Sequence, residues 1–225
     1  MNEPLPLPFI ETRPEARRAE QAATECLEAC RVALGLVEIP LPVPVERWVE
    51  SVLGIDFGFE RIAPMDGTLV LGRAEPGRRI IRVDESLVDD DPRLRWTIAH
   101  ELGHVMLHTE VSETMQAHTT VELLESSPIE QQADRFAGAF LMPAKSIVTV
   151  LFNLCSTLGL DPALTIPDLM GSSEVSVTLW RSIFLPGICE AFGVSRYGAL
   201  HRLADLRLFD DAPLLLPRHV FKLVK

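Results

Sequence analysis

The chain has 225 residues, 47% of them hydrophobic and 24% charged, enough to bury a sizeable core in one large domain or one domain with a small appendage. Its net charge of −11 argues against a broad nucleic-acid surface, which needs clustered Lys and Arg, and favours solubility and attraction to basic protein partners. No apolar run approaches the roughly 18 residues of a membrane span, so no membrane role is expected.

Residues 1–11 are Pro-rich and read as a loose arm. Thr12-Arg-Pro-Glu15 has the form of a capping box with Pro in the first turn. Ala16, Ala19, Ala23, Cys26, Leu27, Cys30 and Leu34 follow at helical spacing, with Gly35 as the stop. Pro40, Pro42 and Pro44 mark an extended connection to a short helix that begins at Val45 and ends at Gly54. Alternation at Ile55, Phe57 and Phe59, then the runs Thr68–Leu71 and Arg79–Val83, predict three strands of a small, mostly antiparallel sheet lying against the next helix. Asp89-Asp90-Asp91-Pro92 starts that helix: an acidic cap with Pro at the first position, a cheaper reading of the run than calcium binding.

Polar residues 109–129 read as a loop with a little helix. Ile129, Ala133, Phe136, Ala137 and Phe140 share the face of a second strong helix, closed by Leu141-Met-Pro143. A further helix is expected over 144–154, an irregular insertion over 156–177, and two helices within 180–208 flanking Phe192-Gly-Val-Ser195, with Ser195 as cap. The expected fold class is α+β, a single domain over 12–225. Within it, 12–143 carries the sheet and the site, and 144–225 is a helical part containing the insertion.

The chemistry concentrates in His100-Glu101-Leu102-Gly103-His104, on the predicted helix that starts at Asp91. Residues four apart share a helix face, so His100 and His104 can offer two imidazoles to one point, half of a tetrahedral zinc site. Glu101, beside a ligand, can take a proton from a water at the metal. A third protein ligand is needed. His108 lies about 12 Å along the helix axis from His100, too far for Zn–N bonds of about 2.0–2.1 Å. A third histidine six residues after His104 is excluded, because Glu110 stands there. Glu130, 26 residues after His104 on the second helix, is the better candidate and resembles the gluzincin arrangement. Asp134, one turn further on, is placed to hold the ring of a metal-bound histidine.

Arg95-Trp-Thr-Ile-Ala-His-Glu-Leu-Gly-His-Val-Met-Leu-His108 followed by Glu130-Gln-Gln-Ala-Asp-Arg-Phe-Ala-Gly-Ala-Phe-Leu-Met-Pro143 resembles the ImmA/IrrE family of metallo-endopeptidases. Phe192-Gly-Val-Ser195 with Arg202-Leu203 is similar to that family's C-terminal signature, so the resemblance spans roughly residues 16–208. It implies a zincin-like fold and a zinc endopeptidase (Zn2+ as cofactor) that cuts helix-turn-helix repressors controlling stress-response or mobile-element genes. It also implies that His100, His104 and Glu130 are the ligands and Glu101 the catalytic acid/base. Asp134 stands where the family commonly has Asn, the insertion at 156–177 is longer than usual, and no separate DNA-binding domain precedes the core. The oxyanion donor is open among His108, His118, Tyr197 and His201.

Two rival readings differ in class. One is a DNA-binding regulator using residues 180–208, where Arg196, His201, Arg202 and Arg207 are offset by Glu190, Asp205, Asp210 and Asp211. The other is a zinc-stabilised binding module, as in a toxin–antitoxin pair, that sequesters a partner without cutting it. Cys26, Cys30, Cys155 and Cys189 are sparse and read as reduced thiols of a cytoplasmic protein; the first two could suit a metal but fit better as small core hydrophobes.

Overall fold

The computed structural model describes residues 10–12, 16–65, 67, 69–109, 115–118, 127–171, 173–208 and 212–213. Its architecture is α+β. Strand β1 (Ile10–Thr12) precedes helices α1 (Arg17–Ala33) and α2 (Val45–Ser51). Strands β2 (Asp56–Glu60), β3 (Val70–Glu75) and β4 (Ile80–Asp84) come next, and then α3 (Asp91–Leu107). Beyond it lie β5 (Met115–His118), α4 (Pro128–Leu141), α5 (Ala144–Thr157) and α6 (Pro162–Met170). Helices α7 (Glu174–Leu179), α8 (Leu185–Phe192) and α9 (Arg196–Asp205) and strands β6 (Leu206–Leu208) and β7 (Ala212–Pro213) complete it.

The main sheet has the order β2-β4-β3-β5. It is antiparallel except where β2 runs parallel to β4, with Asp56 opposite Ile80. The edge strand β5 corrects the expectation of loop there; it pairs with β3 across an irregularity between Val70 and Gly72. The remainder of the 109–126 stretch, from Glu110 on, lies outside the described residues on either side of β5, as do residues 1–9 expected to form an arm.

Helix α3 is the axis of the molecule. The Asp90 carboxylate accepts from the backbone N–H of Arg93, and Pro92 sits in the first turn. From Leu94 and Thr97 to Leu107 most of the helix is buried on every side, as befits a helix with the sheet on one flank and other helices on the other. Helix α4 crosses α3 at Gly103, where an added Cβ would stand 3.0 Å from Ala133 Cα and 3.1 Å from its carbonyl oxygen. That closeness lets side chains of the two helices meet. Two arginines brace the frame. Arg95 pairs with Glu46 of α2 at 2.9 Å and also donates to the carbonyl of Val43. Arg202 of α9 donates from Nε to the Met142 carbonyl at 2.9 Å and pairs with Glu20 of α1.

Three other local expectations are corrected. Thr12 does not cap α1: it lies in β1 opposite Leu206, and Ala16 occupies the cap without a side-chain bond. The stretch 156–177 is not irregular, since it contains α6, capped by Asp161 with Pro162 at its start, and the first turn of α7, capped by Ser173. Residues 206–208 are strand rather than helix. A π-helical turn over Trp180–Phe184 joins α7 to α8. The resulting 19-residue helix Glu174–Phe192 is, by length and composition alone, apolar enough to cross a membrane, contrary to the expectation that no run comes near that length. Its Trp180, Phe184, Leu185, Ile188 and Phe192 are buried in the core. Cys26, Cys30 and Cys155 are likewise core thiols.

Candidate metal centre

The third and fourth turns of α3 and the first turn of α4 converge. Ser127 caps α4 by accepting from the Glu130 N–H, which fixes where that first turn begins. Across the gap, His100 Nε2 and His104 Nε2 are 3.1 Å apart. Glu130 Oε2 is 3.1 Å from His100 Nε2, and Glu130 Oε1 is 3.4 Å from His104 Nε2. Zinc bonds of about 2.0–2.1 Å in a tetrahedron set donor atoms about 3.3 Å apart, so this triad fits such an ion, with a fourth corner left over. Two imidazoles and one carboxylate also form a donor set that zinc prefers.

His100 Nδ1 lies 2.9 Å from Asp134 Oδ1. A carboxylate only accepts, so Nδ1 carries the proton and Nε2 faces the triad. Burial opposes a charge on His100, but its bonds to Asp134 and Glu130 override burial and hold its pKa well above the ordinary imidazole value. For Glu130 burial pushes upward, and the two histidines outweigh it and bring the carboxyl far below its usual range. Burial keeps His104 below an ordinary imidazole despite its contact with Glu130.

Glu101 is fully buried, under β3. A Cβ at Gly72 would stand 2.7 Å from Glu101 Oε1 and 2.8 Å from Thr97 Cγ2, so the strand's backbone rests on the carboxylate. Nothing in the sequence marks Gly72 as part of the site, because an isolated glycine in a short apolar run signals only a bulge or close approach. Gln132 likewise carries no sequence signal of a role. Its Oε1 is 3.3 Å from His108 Nε2.

Of the four residues considered as oxyanion donors, His108 turns its Nδ1 to His104 Nδ1 at 3.1 Å and is therefore engaged behind the triad. The side chain of His118, on β5, lies outside the described residues. Tyr197 and His201 lie against each other on α9, their rings tilted by 47° with centroids 4.2 Å apart. Burial, reinforced by the charge of Asp134, pushes the Tyr197 hydroxyl up to about 12, so it keeps its proton at neutral pH. Between α4 and α9 lies a cavity of about 230 Å³, lined among others by Asp134 and His201. Arg202, counted from sequence among the positive charges of 180–208, is buried and committed to Glu20.

A zincin-like α+β fold with a His-His-Glu cluster on two crossing helices defines the metallopeptidase class. Residues 50–204 match the family model described as the IrrE N-terminal-like domain, and the chain belongs to this ImmA/IrrE family of metallopeptidases. A comparison with curated proteins gives no match.

Proposed function

We propose that the chain is a zinc endopeptidase in which His100, His104 and Glu130 hold the ion. The observation that carries this is the mutual spacing of 3.1–3.4 Å among the three donors. Zinc bound there supplies Lewis acidity toward a water and a peptide carbonyl. Glu101 accepts the proton of the attacking water and returns it to the leaving amine. Asp134 keeps the Nε2 lone pair of His100 aimed at the centre. The substrate is a protein, and by family custom a helix-turn-helix repressor in a stress-response or mobile-element switch. Buried core thiols suit a reducing compartment, and we place the protein in the cytoplasm.

A second reading, a zinc-stabilised module that sequesters its partner without cutting it, is favoured by one feature: Glu101 has no exposed surface. Glu101→Gln separates the two. It keeps size and most hydrogen bonding but removes the base. The expected result is zinc content and thermal stability close to wild type, with cleavage of helix-turn-helix repressor substrates reduced about 10²–10⁴-fold by mass spectrometry. Equal derepression of the target gene by the mutant and wild type would exclude the peptidase reading, even with zinc in place.

A further inference from the structure

His108 takes no part in the proposed chemistry, yet it is buried at 7% exposure and contacts both a proposed ligand and a polar side chain of α4. Its two nitrogens fix a direction. Its Nε2 lies 3.3 Å from Gln132 Oε1. An amide oxygen only accepts, so His108 Nε2 carries a hydrogen. His108 Nδ1 lies 3.1 Å from His104 Nδ1, and a hydrogen bond between two ring nitrogens holds one proton, not two. With Nε2 protonated, neutral His108 offers Nδ1 as a lone pair. His104 must then donate through Nδ1–H, and its Nε2 is left bare, pointing at His100 and Glu130. Were the amide turned so that its NH2 faced His108, each step would reverse. His104 would carry its hydrogen on Nε2, where a cation has to bind.

We infer that Gln132, acting through His108, is a positioning residue that selects the metal-binding tautomer of His104. This rests on the zinc reading and extends it. Asp134 serves His100 in the same way by direct contact at 2.9 Å. One helix, α4, thus supplies a ligand, Glu130, together with the groups that orient both histidines. The two arms differ in charge. The His100 arm ends in a carboxylate. The His104 arm ends in a neutral amide, so the second imidazole is oriented without adding a further negative charge beside Glu130. Helix α3 continues one turn past His104 to reach His108, which explains a use for the third histidine at four-residue spacing that is not ligation.

The test compares Gln132→Met, which keeps length but removes the acceptor, with Gln132→Glu, which keeps an acceptor oxygen. Zinc affinity is measured by competition with a chromophoric chelator, and long-range ¹⁵N–¹H spectra of the metal-free proteins read the histidine tautomers, because zinc on Nε2 would by itself fix the His104 hydrogen on Nδ1. Wild type should show His108 protonated on Nε2 and His104 on Nδ1. Gln132→Met should bind zinc roughly 10–100-fold more weakly, with the His108 pattern shifted, whereas Gln132→Glu should stay within a few-fold of wild type and keep the pattern. A wild-type spectrum with His108 protonated on Nδ1 would overturn the relay, as would wild-type affinity in Gln132→Met. Failure of wild type to bind zinc at all would instead remove the metal reading, and the relay with it. If Gln132→Met does not fold, the wild-type spectrum still decides.

Discussion

The smallest residues near the site carry as much of the geometry as the ligands. Gly72 lets β3 rest on the Glu101 carboxylate, and Gly72→Ala would place a methyl 2.7 Å from Oε1 and 2.8 Å from Thr97 Cγ2. Thr97 is buried and short, so it has little room to yield. The expected cost is about 1–3 kcal/mol of stability in urea titration, with a loss of cleavage out of proportion to any change in zinc affinity. Gly58→Ala on β2 is the control: the nearest atoms its Cβ would meet belong to the Arg82 side chain, at 3.7–3.8 Å, and a change within about 0.5 kcal/mol is expected. Equal effects of the two substitutions would show that contact with Glu101 is not what Gly72 is for. The proton on His100 offers a second residue-scale measurement. In the metal-free protein the raised His100 pKa adds stability that is fully present below the ordinary value of 6.5 and lost as pH climbs through the raised value. Glu130, held low, adds stability that is present above its ordinary 4.5 and lost as pH falls through the depressed value. Below its raised pKa, His100 keeps an N–H where the proposed zinc binds. Titration calorimetry in buffers of differing ionisation enthalpy should therefore show about one proton released per zinc, and affinity should rise with pH. Heats independent of the buffer would contradict this.

At the scale of elements, the site is a crossing of two helices, and Gly103 sets how closely they cross. Alanine is the better helix former by about 0.8–1 kcal/mol, so Gly103→Ala would stabilise α3 if only local propensity counted. Its methyl, however, would stand 3.0–3.1 Å from Ala133 Cα and carbonyl oxygen and from Phe136 Cβ. Two of those neighbours are α4 backbone, which cannot rotate away, so the helices must part. The prediction is net destabilisation of about 1–3 kcal/mol together with at least a tenfold loss of zinc affinity, as Glu130 is drawn off the two histidines. Unchanged zinc affinity in a destabilised Gly103→Ala protein would mean that Glu130 adapts independently of helix spacing. The long elements are legible in the sequence because their signals are local: an Asp90 cap and Pro92 for α3, a strong apolar stripe for α4. The short ones are not. Strand β5 has four residues and owes its existence to pairing with β3, which no local pattern announces. In 156–177 the Pro and Ser that suggest irregular chain instead start and cap short helices: Pro162 opens α6 behind the Asp161 cap, and Ser173 caps α7. Thr12 has the local form of a helix cap, and pairing with Leu206 at the far end of the chain wins.

For the whole molecule, the sequence names the residues that meet at the centre but not what holds them there. The HExxH spacing is readable because two imidazoles four residues apart share one helix face, and Glu130, on another helix, is readable only through its resemblance to the gluzincin arrangement. Gly72, Gln132 and the Arg202–Glu20 tie depend on which distant backbone lies alongside, and that is decided by the packed fold. This division predicts how the protein answers to metal removal. The core runs continuously from α1 through the sheet to α9 and does not pass through the triad. Arg202 anchors α9 to α1 and to the Met142 carbonyl just beyond α4 without any help from zinc. Chelation should therefore leave the helix content intact by far-ultraviolet circular dichroism, unlike a zinc finger that unfolds. It should still lower the melting temperature, because an ion bound only by the folded state stabilises it by about 4 kcal/mol at a thousandfold excess over Kd. For a chain of this size that corresponds to roughly 10 °C, at about 2–4 °C per kcal/mol. Glu101→Gln should show the same chelator shift as wild type, since Glu101 is not one of the three proposed ligands. Glu130→Ala should show a much smaller one. A chelator-induced loss of helix would mean that the metal organises the α3–α4 pair. An equal shift in Glu130→Ala and wild type would remove Glu130 from the ligand set.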